Sequence, residues 1–249
     1  MGEWYKRMFE DAFGKYWERI FSFKEKKETD QEVSFLKDLL GEGLILDDAC
    51  GLGRISIPLS RHVPVVGLDL SSYLLRKANQ KAKDSGVKNF YSVRGDMRYL
   101  PFKSDVFHSV ISIWTSFGYF SERENEVALR EVVRVLKRGG SFILDMPNPL
   151  WHIKIFRERD WWEDEEYITL EQRSVNWKER RLKEKWIIID KQTKNIDEIS
   201  FEHRLYDIKE LEELLSKEGL KINRVYGSFQ KEDFKETNSR RIIILSEKR

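Results

Sequence analysis

Hydrophobic and polar positions along the chain predict two amphipathic helices followed by a regular alternation of strands and helices. Apolar side chains recur at helical spacing in residues 3–22 and again in 30–40. From Leu44 onwards the predicted order is strand 44–48, helix 54–62, strand 63–69, helix 71–84, strand 88–94, strand 106–113, helix 122–137 and strand 141–146. Strands separated by helices of this length favour a parallel sheet with helices on both faces.

The pattern changes near residue 150. Three β-rich runs joined by polar turns follow, at 165–177, 182–190 and 196–206. They predict an antiparallel insertion. A helix over Asp207–Gly219 and two apolar strands, 221–229 and 240–249, then return to the first pattern. We therefore expect one α/β domain formed by residues 1–149 and 207–249, with the N-terminal helices in 3–40, and an inserted β-rich subdomain at 150–206.

Composition narrows the classes of function. Lys plus Arg number 45 and Asp plus Glu 43, so the net charge of +2 gives no general attraction to nucleic acid or to an anionic membrane. No apolar run approaches the roughly 18 residues that span a bilayer, and a charged N-terminus does not resemble a signal peptide. We expect a cytoplasmic protein without a membrane role. Its 35% of charged residues resemble the ion-pair-rich surface of a thermophile protein.

Candidate chemistry begins where the first strand runs into a turn of small residues, "LILDDACGLGR". Such a turn lets the backbone approach a ligand closely. Read as a dinucleotide fingerprint it has Gly51 and Gly53 but Ser56 in the third glycine place. Asp69 ends the second strand 22 residues after Asp47, which suits an acceptor for a ribose diol.

A third strand end carries another acid. Asp96 followed by Met97 offers an acceptor for an exocyclic amine beside an apolar flank for a purine face. Each acid alone is explained equally well by a solvated loop or a helix cap, but three acids at consecutive strand ends form a pattern.

These motifs resemble the class I S-adenosylmethionine-dependent methyltransferases over residues 30 to 150. The first family motif is matched from Asp47 to Gly53, with Ala49 in the first glycine place, and the late "VLKPGG" turn is matched by "VLKRGG" at 135–140. The resemblance implies a Rossmann-like seven-stranded, mostly parallel sheet whose last strand is antiparallel. It implies S-adenosylmethionine as cofactor, held by Asp47, Ala49, Cys50, Gly51, Gly53, Asp69, Leu70, Asp96, Met97 and Trp114.

Substrate-facing residues are harder to choose, because core packing explains most candidates as well. Tyr119 lies after the fourth strand in "SIWTSFGYF", and Tyr16 in the first helix, so each is placed to face the reacting groups. His152 and His203 fall at the two ends of the insertion, where a lid would cover the sheet edge. The four histidines have no metal-like spacing, so we expect no metal.

The resulting hypothesis is a methyltransferase that acts on a small-molecule acceptor under a lid formed by the insertion and the N-terminal helices. An NAD-type oxidoreductase uses the same strand edge and stays an alternative. So does a non-catalytic S-adenosylmethionine-binding module. Methylation of tRNA is a weaker possibility, and the absence of a base-methylation motif after the fourth strand argues against DNA methylation.

Overall fold

A computed structural model describes Gly14, Tyr16, Glu18 and residues 26–249 of the chain. Those first three residues are helical, and the rest of the helix predicted over 3–22, including Trp17, lies outside the described residues. From residue 26 the helices are α1 Lys26–Leu39, α2 Ser56–Leu59, α3 Ser72–Asp84, α4 Glu122–Val135, α5 Pro149–Lys154 and α6 Ile208–Lys217. The strands are β1 Ile45–Asp48, β2 Val65–Asp69, β3 Phe90–Arg94, β4 Phe107–Ser112, β5 Leu136–Pro147, β6 Arg159–Glu163, β7 Tyr167–Asn176, β8 Arg181–Asp190, β9 Ile196–Arg204, β10 Leu220–Tyr226 and β11 Arg241–Lys248.

Two sheets organise these strands. The larger has seven strands in the order β10-β11-β5-β4-β1-β2-β3, and β11 runs antiparallel to both of its neighbours. The smaller, here called the four-stranded sheet, is an antiparallel meander in the order β6-β7-β8-β9. The order in the larger sheet reverses between β1 and β4, which opens a crevice at the carboxyl ends of those strands.

The central strands β1 and β2 of the larger sheet are buried on both faces because helices cover both faces. Leu46 and Phe142 lie in a cluster with α4 and α6, whereas Ile45 and Ile143 face the opposite cluster with α1 and α2. This alternation along β1 and β5 fixes their register, since a slip of one residue would exchange the two cores.

Side-chain caps set the starts of the longer helices. Ser71 accepts from the backbone N–H of Leu74 at the start of α3. Ser121 with Glu124 and Asp207 with Glu210 form capping boxes at α4 and α6. Each satisfies amide groups that the first helical turn leaves without a partner.

The structure corrects several boundaries. The helix predicted over 54–62 is a single turn, Ser56–Leu59, because the backbone is still turning at Gly53 with a φ of +69°. Strand β5 begins at Leu136, five residues before the prediction.

Two elements of the insertion were not predicted. Helix α5 starts with Pro149 and is capped by Asn148, where the sequence offered only a loop. Strand β6 occupies "RDWWE", before the first predicted run at 165–177; its residues alternate in burial, but the acids mask that alternation in the sequence.

The packing predicts a large stability cost for truncation in α6. Leu211 is fully buried in the larger cluster, so Leu211→Ala should lower the free energy of unfolding by about 2–5 kcal/mol. Urea denaturation followed by circular dichroism measures this. The neighbouring exposed Glu212 supplies the control, since Glu212→Ala should change stability by less than about 0.5 kcal/mol. Equal effects of the two substitutions would contradict the packing described here.

Candidate functional site

A cavity of about 180 Å³ opens at the carboxyl edge of the larger sheet, where the strand order reverses. We call it the edge cavity. Of the residues predicted to hold a cofactor, its wall includes Asp47, Ala49, Cys50, Gly51, Asp69, Leu70, Asp96, Met97 and Trp114. Gly53 lies outside the wall. A Cβ at Gly53 would come within 2.8 Å of Ile57, so this glycine allows close packing of the turn rather than contact with a ligand.

The turn after β1 has a backbone conformation that small residues can adopt. Ala49 and Gly51 adopt positive φ values of 68° and 54°. Cys50 between them donates its N–H to the carbonyl of Leu68 on β2 at 2.8 Å. The thiol of Cys50 is buried, which raises its pKa well above the ordinary value and leaves it unreactive.

Asp69 fixes this turn from the neighbouring strand. One carboxylate oxygen accepts from the backbone N–H of Gly51 and the other from that of Ser71, both at 2.8 Å. Burial raises the pKa of Asp69, and these backbone bonds oppose the rise. The carboxylate is therefore held in one orientation, with acceptor capacity left on both oxygens.

Two further acids end β1. Asp47 accepts from the hydroxyl of Ser56, and burial raises the pKa of Asp47 to about 6. Burial, with the charges of Asp47, Asp69 and Asp96, raises the pKa of Asp48 to about 8. One buried oxygen of Asp48 has no hydrogen-bond partner. The sequence analysis missed Asp48, although "ILDD" places a second acid at the strand end.

Asp96 has a partner that the sequence analysis also missed. Its carboxylate accepts from the Arg98 guanidinium, at 3.1 Å from Nε and 2.7 Å from Nη2, and from the Arg98 backbone N–H at 2.9 Å. The same guanidinium lies 4.3 Å from the centre of the Phe120 ring, on the cavity wall. Arg98 thereby orients Asp96 beside the buried Met97.

Trp114 closes the side of the cavity next to α1. Its indole N–H donates to Glu32 at 3.3 Å, and the Arg54 guanidinium lies 5.1 Å from the centre of the ring. Arg54 also pairs with Glu32. Arg54 lines the cavity, and its position directly after Gly53 was the available signal.

The predicted substrate residues occupy different places. Tyr119 lies on the cavity wall, and its ring is 6.0 Å from that of His203. His203 and His152 are not part of the wall. Tyr16 is also outside it and packs against Tyr167 with ring centres 5.2 Å apart, while its hydroxyl donates to Asp197 on β9.

Burial keeps the two histidines neutral. It lowers the pKa of each to about 4, and Arg241 contributes to both. His152 Nε2 and His203 Nδ1 are buried without a hydrogen-bond partner. Within residues 26–249 and the three described residues before them, no group of three His, Cys, Asp or Glu side chains is arranged to hold a metal. In the same part of the chain no helix has the length and apolarity needed to cross a membrane.

These features fit S-adenosylmethionine. The oriented Asp69 suits a ribose diol, and the buried acids at the end of β1 have raised pKa values, so a cationic ligand would favour their ionised forms. Ala49 and Gly51 leave the backbone of the turn accessible.

Comparison with known proteins agrees with this chemistry. Residues 45–140 match the family model described as "Methyltransferase domain". The MJ1252 protein of Methanocaldococcus jannaschii is 30% identical over 220 residues, which cover 88% of this chain and 77% of that protein. A ubiquinone/menaquinone biosynthesis C-methyltransferase of Wigglesworthia glossinidia brevipalpis is 35% identical over 113 residues, 43% of this chain and 44% of that protein. This chain thus spans less than half of the latter relative.

A solved structure confirms the fold. The S-adenosylmethionine-dependent methyltransferase from Clostridium acetobutylicum superposes with a TM-score of 0.80 at 18% sequence identity. The superposition covers 96% of this chain and 99% of the other. It includes the seven-stranded sheet with an antiparallel last strand that the sequence analysis expected.

Asp69 provides the first test of the site. Asp69→Ala should weaken binding of S-adenosylhomocysteine by roughly 2 kcal/mol or more, because it removes a charge-assisted acceptor and releases the turn. Isothermal titration calorimetry measures this. The exposed Asp84 at the end of α3 gives the matched control, Asp84→Ala, which should bind like the parent. Tight binding of NAD by the parent, with none of the sulfur ligand, would contradict the assignment.

The acids at the end of β1 predict a pH dependence that differs between two ligands. Asp47 and Asp48 have raised pKa values of about 6 and 8, so both lose protons as the pH rises through this range. A cationic ligand favours their ionised forms. Affinity for the sulfonium-bearing S-adenosylmethionine, relative to the uncharged thioether S-adenosylhomocysteine, should therefore rise from about pH 5.5 to about pH 8.5. Calorimetry with both ligands at each pH tests this, and a constant ratio would refute it.

Proposed function

Because the chain belongs to the class I S-adenosylmethionine-dependent methyltransferases, we propose that it transfers the cofactor's methyl group to a small molecule enclosed between the edge cavity and the four-stranded sheet. One observation carries the proposal. The segment from Gly118 to Phe120 forms cavity wall on one side and is bonded to the four-stranded sheet on the other.

Several short hydrogen bonds join residues 118–120 to the four-stranded sheet. The Arg204 backbone N–H donates to the Gly118 carbonyl at 2.8 Å, and the Arg181 guanidinium donates to the Phe120 carbonyl at 3.0 Å. Arg204 also bonds to Glu122 at the start of α4 at 2.6 Å. The four-stranded sheet is thus attached directly to the residues that surround the reacting groups, which is the place of a lid.

The inner face of the four-stranded sheet carries an apolar cluster that meets the cavity wall at Tyr119. Ile188, Ile199 and Phe201 cluster with Tyr16 and Tyr119. Tyr16 therefore joins the N-terminal helix to the lid, and Tyr119 joins the lid to the cavity. A mostly apolar chamber with a few polar groups is typical of small-molecule sites.

Glu18, near the N-terminus, makes a second contact, with α3. Glu18 accepts from the Tyr73 hydroxyl at 2.9 Å and pairs with Lys77 at 3.2 Å, both on α3. Tyr16 bonds to Asp197 of the four-stranded sheet. Tyr16 and Glu18 thereby connect the four-stranded sheet to α3, which supports a role for this part of the chain in the lid.

S-adenosylmethionine, when bound, supplies a methyl group that its sulfonium has already activated. The protein must therefore hold the acceptor in line with that methyl group and exclude water. Tyr119 is the side chain placed to contact the acceptor. Burial raises the pKa of Tyr119, with Glu184 adding to the shift, so its hydroxyl stays protonated and can donate a hydrogen bond.

His203 lies beside Tyr119, outside the cavity wall, and His152 lies close to His203. Their burial and neutrality suit hydrogen bonding to an uncharged group of the acceptor. The proposed substrate-facing residues are therefore Tyr119 first, His203 and His152 behind it, and Tyr16 as part of the cover.

The name of one relative supports a small acceptor. The Wigglesworthia protein is named as a C-methyltransferase of ubiquinone/menaquinone biosynthesis. An acceptor with an apolar ring would pack against Tyr119 on the wall of the edge cavity.

Two alternatives are distinguished by experiment. We expect methyl transfer from tritiated S-adenosylmethionine to at least one small molecule of a panel containing 1,4-naphthohydroquinone, catechol and glucosamine, with bulk tRNA tested beside them and the product identified by mass spectrometry. Asp69→Ala serves as the background control. Labelling of tRNA alone would replace the small-molecule proposal with nucleic-acid methylation. Cofactor binding without transfer to any member would favour a non-catalytic binding module.

A further inference from the structure

The cavity wall contains a backbone turn that its residues do not favour. After β4, Trp114 and Thr115 adopt φ values of +67° and +63°. Neither is glycine, and a β-branched or bulky residue is strained in the left-handed region. Both residues line the edge cavity. A strained turn at a binding site persists only where surrounding groups hold it.

Asp145 on β5 is the group that holds it. Its side chain is fully buried. One carboxylate oxygen accepts from the Trp114 backbone N–H at 2.8 Å, and the Asp145 carbonyl accepts from the Thr115 N–H at 3.3 Å. The two strained amides are therefore both anchored to one residue of the neighbouring strand.

Arg241 on β11 completes the arrangement. Its Nε and Nη2 donate to the two carboxylate oxygens of Asp145, each at 2.7 Å, in a two-pronged pairing that lysine cannot reproduce. Nη2 also lies 3.4 Å from the Thr115 hydroxyl. The guanidinium compensates the buried charge and contacts the turn itself.

We propose that Asp145 and Arg241 are positioning residues for methyl transfer, which hold the Trp114–Thr115 turn in the conformation that forms the cofactor side of the edge cavity. Neither residue lines the cavity, so both act through the turn. The proposal rests on the proposed function, since it assigns the turn to the binding of S-adenosylmethionine.

The indole of Trp114 has independent anchors in Arg54 and Glu32. Loss of Arg241 therefore leaves the buried Asp145 without its charge partner and weakens its hold on the backbone of the turn, while the indole stays anchored. We expect a graded loss of cofactor affinity rather than collapse of the site.

The test compares two adjacent arginines. Arg241→Met should weaken binding of S-adenosylhomocysteine about tenfold or more, measured by calorimetry per mole of folded protein. Arg240 is exposed, and its guanidinium lies over Trp151 instead of the turn. Arg240→Met should bind like the parent. Asp145→Asn should resemble Arg241→Met.

A rescue separates positioning from general destabilisation. Glycine adopts positive φ without strain, so adding Thr115→Gly to Arg241→Met should recover affinity by about threefold or more. Thermal unfolding of each variant without ligand reports the structural contribution separately. If Arg241→Met does not fold, Arg241→Lys replaces it and should bind between about threefold and tenfold more weakly than the parent.

Three results overturn the proposal: unchanged affinity in every folded Arg241 variant, equal loss in Arg240→Met, or no recovery with Thr115→Gly. Failure of the proposed function is a different result, because the parent itself would then bind no S-adenosylhomocysteine or transfer no methyl group.

Discussion

The buried carboxylates at the carboxyl edge of the larger sheet constrain everything built around that edge. A carboxylate taken out of water must be compensated by hydrogen bonds or by a partner charge. Asp69 is compensated by backbone N–H groups from the turn after β1 and from the start of α3, and Asp145 by Arg241 and by the turn after β4. The hydrogen bonds to Asp69 and Asp145 therefore determine the path of two loops of the edge cavity, the one after β1 and the one after β4. The fold and the chemistry of the site share one electrostatic requirement.

The sequence predicted the parts of this arrangement that depend on local pattern. Periodicity located the strands of the larger sheet, and the spacing from Asp47 to Asp69 predicted that both acids lie at one edge of it, where they line the edge cavity. Local pattern could not reveal Arg241, because it lies 96 residues from Asp145 and meets it only through pairing of β5 with β11. Strand β6 was missed for a related reason, since its acids pair with cations that follow much later in the chain, Asp160 with Arg173 on β7 and Glu163 with Lys191 after β8.

For the histidines, the sequence predicted the position but not the protonation state. Sequence position placed His152 and His203 near the mouth of a covered site, and the structure brings them together behind Tyr119. Their protonation state depends on burial and on Arg240, Arg241, Arg173 and Arg181, which come from three different strands and the segment before β11. The pKa shifts of the two histidines could not be predicted from the sequence, because these arginines come close to them only in the folded chain.

The pairing of β5 with β11 also affects the rate of folding. Strand β11 lies between β5 and β10 in the sheet, yet the insertion, α6 and β10 all separate it from β5 along the chain. Closing so long a loop is entropically expensive and slows folding. Strands β1 to β4 can associate beforehand, but the turn at Trp114 receives its arginine only when β11 docks. During synthesis the chain therefore passes through a stage in which most of the sheet exists and the ligand-binding edge is still incomplete.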